Sequence, residues 1–296
     1  IDGVNITNIS DAEFDRLLEK LEEAGLRISS FGSAIANWGR RVTDPLETDL
    51  EELERAIPRM HKAGTRFLRI MSYRPEAAAT TATAGPASPT ATASTASTAS
   101  SAAGAGGTPA APGSPWSDAD LKDEVIRRLT EITRRAEDGG IVCLHENCDT
   151  WGGQSYEHTL ELLERIDSPA FSLVFDTGNP VETRDARPGA DGAFQDAYEF
   201  YRAVRDHIGY VHIKDGYVED GQTVYTFPGE GNARIPEILS DLFDSGYDGG
   251  FSIEPHVAVV FHDPSVTADA GERWRSFLEY AWRTEDLLRQ AGYSPV

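Results

Sequence analysis

The chain has 296 residues, a net charge of −22 and 40% hydrophobic side chains, enough for one large α/β domain with a sizeable core. A surface this acidic repels phosphate backbones, which disfavours a DNA or RNA partner. No apolar run approaches the roughly 20 residues of a membrane-spanning helix.

Lysine occurs only at Lys20, Lys62, Lys122 and Lys214, so arginine carries most of the positive charge. Acid excess with little lysine fits a salt-adapted interior where self-repulsion is screened, and equally an ordinary acidic enzyme. The two cysteines, Cys143 and Cys148, make no disulfide framework and suit a reducing, cytoplasmic setting. No signal-peptide pattern starts at Ile1, and the missing initiating Met points to residues upstream.

In chain order, Val4–Ile9 is a weak strand candidate because it runs straight into a helix. The first strand is expected upstream of Ile1, leaving a barrel open at one seam. Ser10-Asp11 opens an amphipathic helix with Phe14, Leu17, Leu18 and Leu21 on one face and Gly25 as its stop. Strands are predicted at 25–33 and 65–73. Residues 76–115, almost all Ala, Thr, Ser, Gly and Pro, cannot bury enough surface to offset their ordering entropy and are expected to be a disordered insertion in a βα loop. Ser117 precedes a helix in which Leu121, Val125, Leu129 and Ile132 recur at helical spacing. Strands follow at 141–147, 171–178, 208–215, 223–231 and 250–256, with helical segments at 155–166, 194–206, 235–245 and 272–291. Apolar runs of this kind predict parallel strands covered on both faces, and their alternation with helices predicts βαβ units. The expected fold is a single (β/α)8 barrel over residues 1–296, lacking or truncated at its first strand.

Glu146, Asp176, His212 and Glu254 each lie at or near the C-terminal end of a different predicted strand. In a parallel barrel those ends gather around one mouth. Parity agrees: Val142, Leu144 and Glu146 share a face, as do Ser172, Val174 and Asp176, then Tyr210, His212 and Lys214, then Ser252, Glu254 and His256. Three converging anions repel unless a cation lies between them, and three carboxylates with one imidazole suit Mn²⁺, Mg²⁺ or Co²⁺, with Zn²⁺ an alternative.

"LHEN", "FDTGNP", "VHIKD", "GEG" and "SIEPH", in this order and spacing, resemble the xylose-isomerase-like TIM-barrel superfamily of sugar (phosphate) isomerases and epimerases, which also contains the AP-endonuclease family 2 repair enzymes. The resemblance runs from about Ile1 to the final helix, outside 76–115. It implies that Glu146, Asp176, His212 and Glu254 are metal ligands and that Glu146 and Glu254 form the catalytic acid/base pair. Isomerising or epimerising a sugar removes a proton next to a carbonyl, and a polarising metal with positioned carboxylates suits that enediolate-type chemistry. Lys214, His256, Asn179, Trp38 and Trp151 are candidate substrate contacts, and Glu230 is expected to orient His212 or Lys214.

Asn179 stands where ketose epimerases of this superfamily typically carry histidine. It can hydrogen-bond a substrate oxygen but cannot carry a proton, which leaves isomerase, dehydratase and other lyase chemistry open. The seven histidines do not readily build the repair enzymes' zinc cluster. The expected partner is a small sugar or sugar-like molecule, with no nucleic acid and no membrane, and with a homo-oligomer left open. A non-catalytic sugar-binding protein is the competing class.

Overall fold

The computed structural model describes residues 4–74, 118–258 and 268–294. The stretch 76–115, expected to be disordered, lies outside the described residues. The elements in order are α1 (Asp11–Glu23), β1 (Ser30–Gly32), α2 (Glu47–Ala63), β2 (Phe67–Ile70), α3 (Asp118–Asp138) and β3 (Val142–Glu146). These are followed by α4 (Tyr156–Ile166), β4 (Phe171–Asp176), α5 (Asn179–Glu182), α6 (Ala197–Val204), β5 (Ile208–Ile213) and β6 (Gly216–Glu219). The last four are β7 (Gln222–Tyr225), α7 (Ile235–Asp244), β8 (Gly250–Ile253) and α8 (Ala270–Ala291).

Six strands form one parallel sheet in the order β1-β2-β3-β4-β5-β8, which curls and is ringed by helices as the alternating pattern predicts. Leu144, Val174 and Tyr210, with Phe67 and Val142 against them, fill the concave side. Residues of opposite parity, such as Leu68, Cys143, Phe175 and Val211, enter the two larger clusters between sheet and helices. Period-two alternation therefore separates an inner from an outer core. Among the described residues β1 and β8 are the sheet's edges, and the Ser29 hydroxyl reaches the Tyr210 hydroxyl at 2.9 Å across the interior.

Local chemistry explains the helix starts. Ser10 and Glu13 form a reciprocal capping box on α1, and Phe14 meets Phe31 edge-on at 6.1 Å. Ser155 caps α4 through the His158 amide. Helix α2, with Pro58 in its interior, was not anticipated. It buries Asp49 and Glu52, and both take Arg40 as an ion-pair partner. Asp49 also accepts from Tyr73 at 2.5 Å and from the Ala36 amide, while Glu52 accepts from the Ala34 amide and Thr7. This satisfied polar network holds the loop after β1, which carries the exposed Trp38, down on α2.

One strand expectation is corrected, and the weak candidate at residues 4–9 forms no strand. Residues 4–9 are turns, because the Asn5 side chain accepts from the amide and hydroxyl of Thr7 while its carbonyl accepts from Asn8 and Ile9. The 223–231 segment is not a barrel strand. Its first part, β7, pairs antiparallel with β6 outside the main sheet, through a turn in which Asp220 and Gly221 have φ of 50° and 77°. Asp-Gly with two positive φ values is the two-residue hairpin geometry that matches strand twist.

The surface yields one expectation. The charge of −22 destabilises the folded state by self-repulsion, whereas exposed pairs such as Arg289 with Glu285 contribute under about 1 kcal/mol each. Screening at high salt should therefore stabilise on balance. Thermal unfolding in 2 M rather than 0.1 M KCl should raise Tm by about 5 °C, on the order of 2 kcal/mol. A fall in Tm would show that the ion pairs dominate.

Candidate metal centre

Register places the four strand-end residues side by side. Glu146 lies opposite Val174 on β4, Asp176 opposite His212, and His212 opposite Ser252, two residues before Glu254. One donor atom from each of Glu146, Asp176, His212 and Glu254 lies within 4.8 Å of the others. The ends of β3 and β4 are bolted together by Asn147, whose amide donates to the Asp176 carbonyl at 3.0 Å and accepts the Asp176 amide at 2.7 Å. Thr177 does the same for β4 and β5, bonding the carbonyl and amide of Lys214. Gly178 is required here: a Cβ would come within 2.8 Å of the Lys214 side chain and 3.0 Å of its backbone.

His212 Nδ1 sits 3.0 Å from both Glu146 Oε1 and Glu254 Oε1. Burial opposes its charge, but the two carboxylates outweigh that and lift the imidazolium to about 10. Burial likewise favours the neutral form of Glu146, yet Arg69 and His212 bring its carboxyl down to about 2. Arg69 Nη1 donates to Glu146 Oε2 at 2.8 Å. Glu254 is also held well below the usual carboxylate range, against burial, by His212 first and then Lys214.

Asp176 behaves differently. Burial, aided by Glu254 and Glu146 and opposed by Lys214, pushes its carboxyl up to about 7. Its Oδ1 accepts from the amides of Gly178 and Asn179, while its buried Oδ2 has no hydrogen-bond partner. A buried orphaned carboxylate oxygen, on a residue that converges with two other carboxylates and an imidazole, is what a divalent cation would satisfy. Three oxygen donors and one nitrogen fit a hard or borderline ion.

The remaining candidates divide. Lys214, 5% exposed, donates to Asn179 Oδ1 and lies 3.3 Å from Glu182 Oε1 and 3.6 Å from Asp176 Oδ1, so it and Asn179 belong to the cluster. His256 meets the Tyr225 ring edge-on at 4.8 Å, and Tyr225 donates to Glu182 Oε2 at 2.8 Å, beside Lys214. Trp38 is exposed on its loop, whereas Trp151 is 6% exposed and stacked on His158 at 4.5 Å, turned into the core. Glu230 pairs with Arg283 of α8 rather than with His212 or Lys214. The carboxylate that organises its loop is Asp215, which accepts from the amides of Gly216, Gly229, Gly231 and Ala233.

Sequence reasoning passed over Arg69, Asp215, Glu182 and Tyr225. A lone arginine inside the apolar strand "FLRI" was an available signal for the first. Beside the cluster opens a cavity of about 250 Å³, lined in part by Ser30, Arg69, Tyr210, His212, Ser252 and Glu254. Its size and polar lining suit a small hydroxylated molecule.

The sequence pattern of the family described as xylose isomerase-like TIM barrel matches residues 2–277. An uncharacterised protein of Methanocaldococcus jannaschii, MJ1311, is 32% identical over 149 residues, 47% of this chain and 46% of its own length. An inosose dehydratase of Geobacillus thermodenitrificans is 24% identical over 186 residues, 58% of this chain and 54% of its own. The chain thus spans about half the length of the curated relatives it matches. Among solved structures, a xylose isomerase-like TIM barrel protein from Mycobacterium smegmatis in complex with magnesium superposes with a TM-score of 0.64. It is 18% identical, with 97% of this chain and 81% of that chain covered. Sugar epimerases and a probable 3-DHS dehydratase share the fold at 19% identity or less.

Proposed function

Because the chain belongs to the xylose isomerase-like TIM barrel family, a fold shared by sugar epimerases and dehydratases, we propose that it is a metal-dependent sugar or polyol isomerase or epimerase. One observation carries the reading: the donor atoms of Glu146, Asp176, His212 and Glu254 converge within 4.8 Å at the carboxyl ends of the strands, beside a polar cavity. Those four residues would hold the ion, which when bound supplies polarisation of the substrate's carbonyl and hydroxyl oxygens.

The protein's own groups have distinct tasks. Glu254, its side chain 30% exposed, borders the cavity and takes the proton from the carbon next to the carbonyl. Glu146, its side chain 4% exposed and paired with Arg69, is the candidate on the other face, where it would return a proton that it has first drawn from solvent, while the proton held by Glu254 passes to solvent. The Lys214 ammonium, held by Asn179 and Glu182, offers donors to a substrate hydroxyl.

A dehydratase is the second reading. It is favoured by the inosose dehydratase relative and by Asn179, which cannot deliver a proton where histidine could. Both readings begin with the same proton abstraction. Metal-loaded protein in D₂O, incubated with a panel of ketoses and inososes, should place deuterium next to the carbonyl, with EDTA abolishing the exchange. Loss of water from the product would select the dehydratase. Binding of a sugar by calorimetry without any exchange would overturn both in favour of a sugar-binding protein.

A further inference from the structure

Resting on that metal-site reading, we infer that Arg69 sets how Glu146 coordinates, and so makes the centre select a small six-coordinate divalent ion over one of calcium's size. Arg69 lies on β2 opposite Leu144 of β3, and its guanidinium is fixed at two points. Nη1 donates to Glu146 Oε2 at 2.8 Å, and Nη2 donates to the Ser33 carbonyl at 3.0 Å. Ser33 is itself held, its hydroxyl donating to the Arg69 carbonyl at 2.6 Å. The guanidinium therefore cannot follow the carboxylate if Glu146 rotates, and a planar fork anchored at both ends defines where Oε2 must stay.

The consequence is a division of oxygens. Glu146 has Oε2 committed to Arg69 and only Oε1 turned toward His212, at 3.0 Å. Asp176 is divided in the same way, with Oδ1 taken by two backbone amides and Oδ2 left over. Two of the three carboxylates can thus each give a single oxygen. Calcium takes about 6–8 oxygens and uses two-oxygen carboxylates, whereas magnesium-like ions accept six donors at shorter distances. Without Arg69, Oε2 is free to join Oε1 on a larger ion.

Removing Arg69 also removes a positive charge, which favours every divalent cation alike, so the ratio of two affinities isolates the geometry. The full chain, stripped of metal, is titrated calorimetrically with MnCl₂ and with CaCl₂ as wild type, Arg69→Met and Arg69→Lys. Arg69→Met should lose its preference for manganese over calcium by roughly tenfold or more. Arg69→Lys keeps a donor for Oε2 and should restore most of that preference. If Arg69→Met does not fold by circular dichroism, Arg69→Leu, which also lacks a donor for Oε2, makes the same comparison. A change of less than threefold overturns the role of Arg69 while leaving the metal site intact. A wild-type protein that takes up neither ion overturns the metal site itself.

Discussion

Glu254→Gln is expected to lower the rate of deuterium exchange into substrate by about 10³-fold, near 4 kcal/mol of barrier, within the range that removal of a positioned base costs. The two glutamates are not equivalent. Glu254 borders the cavity with a side chain 30% exposed, whereas that of Glu146 is 4% exposed and bonded to Arg69. Glutamine at 254 keeps a carbonyl oxygen for the ion, so metal uptake by calorimetry should weaken far less than exchange does. Glu146→Gln should show the reverse emphasis. It leaves the Arg69 charge without its carboxylate, a change that costs about 3–5 kcal/mol at a buried pair, and it weakens metal uptake itself. Exchange at near wild-type rate in Glu254→Gln would remove this residue from the proton-transfer role.

Metal affinity should depend steeply on pH, falling by about 10³-fold between pH 8 and pH 6. Without metal, His212 holds its proton up to about 10 and Asp176 up to about 7, and each must lose it to ligate. Both values are raised, so competition by protons grows as pH falls. One proton is displaced per ion between about pH 7 and 10, and a second is added below about 7. Calorimetry in buffers of different ionisation enthalpy should therefore show proton release, near one at pH 8 and approaching two at pH 6. A saturating ion, at about 1,000 times its Kd, should add roughly 4 kcal/mol of stability. Affinity unchanged across this range would mean that His212 and Asp176 are not displaced from their protons, and hence not ligands.

The convergence of Glu146, Asp176, His212 and Glu254 was legible from the chain because it needs only local facts. Each follows an apolar run, each has inward parity, and parallel strands bring their carboxyl ends to one mouth. The capping of α1 by Ser10 and Glu13 was partly legible for the same reason, since its partners are three residues apart. Asp220-Gly221 could have been read as a hairpin turn from its residue types alone, and missing it turned β7 into a barrel strand.

What the chain by itself determined was the repeating strand–helix order, the inner and outer faces of each strand, and which polar residues stand at the mouth. Tertiary structure alone decided that Arg69 grips Glu146 across 77 residues, that Glu230 turns to Arg283 of α8 while Asp215 holds its loop, and that Trp151 packs on His158. The physical reason is that side-chain period and burial are properties of a few neighbouring residues. The partner of a buried charge depends instead on strand register, side-chain reach and the desolvation of both groups, and these exist only once distant segments have packed.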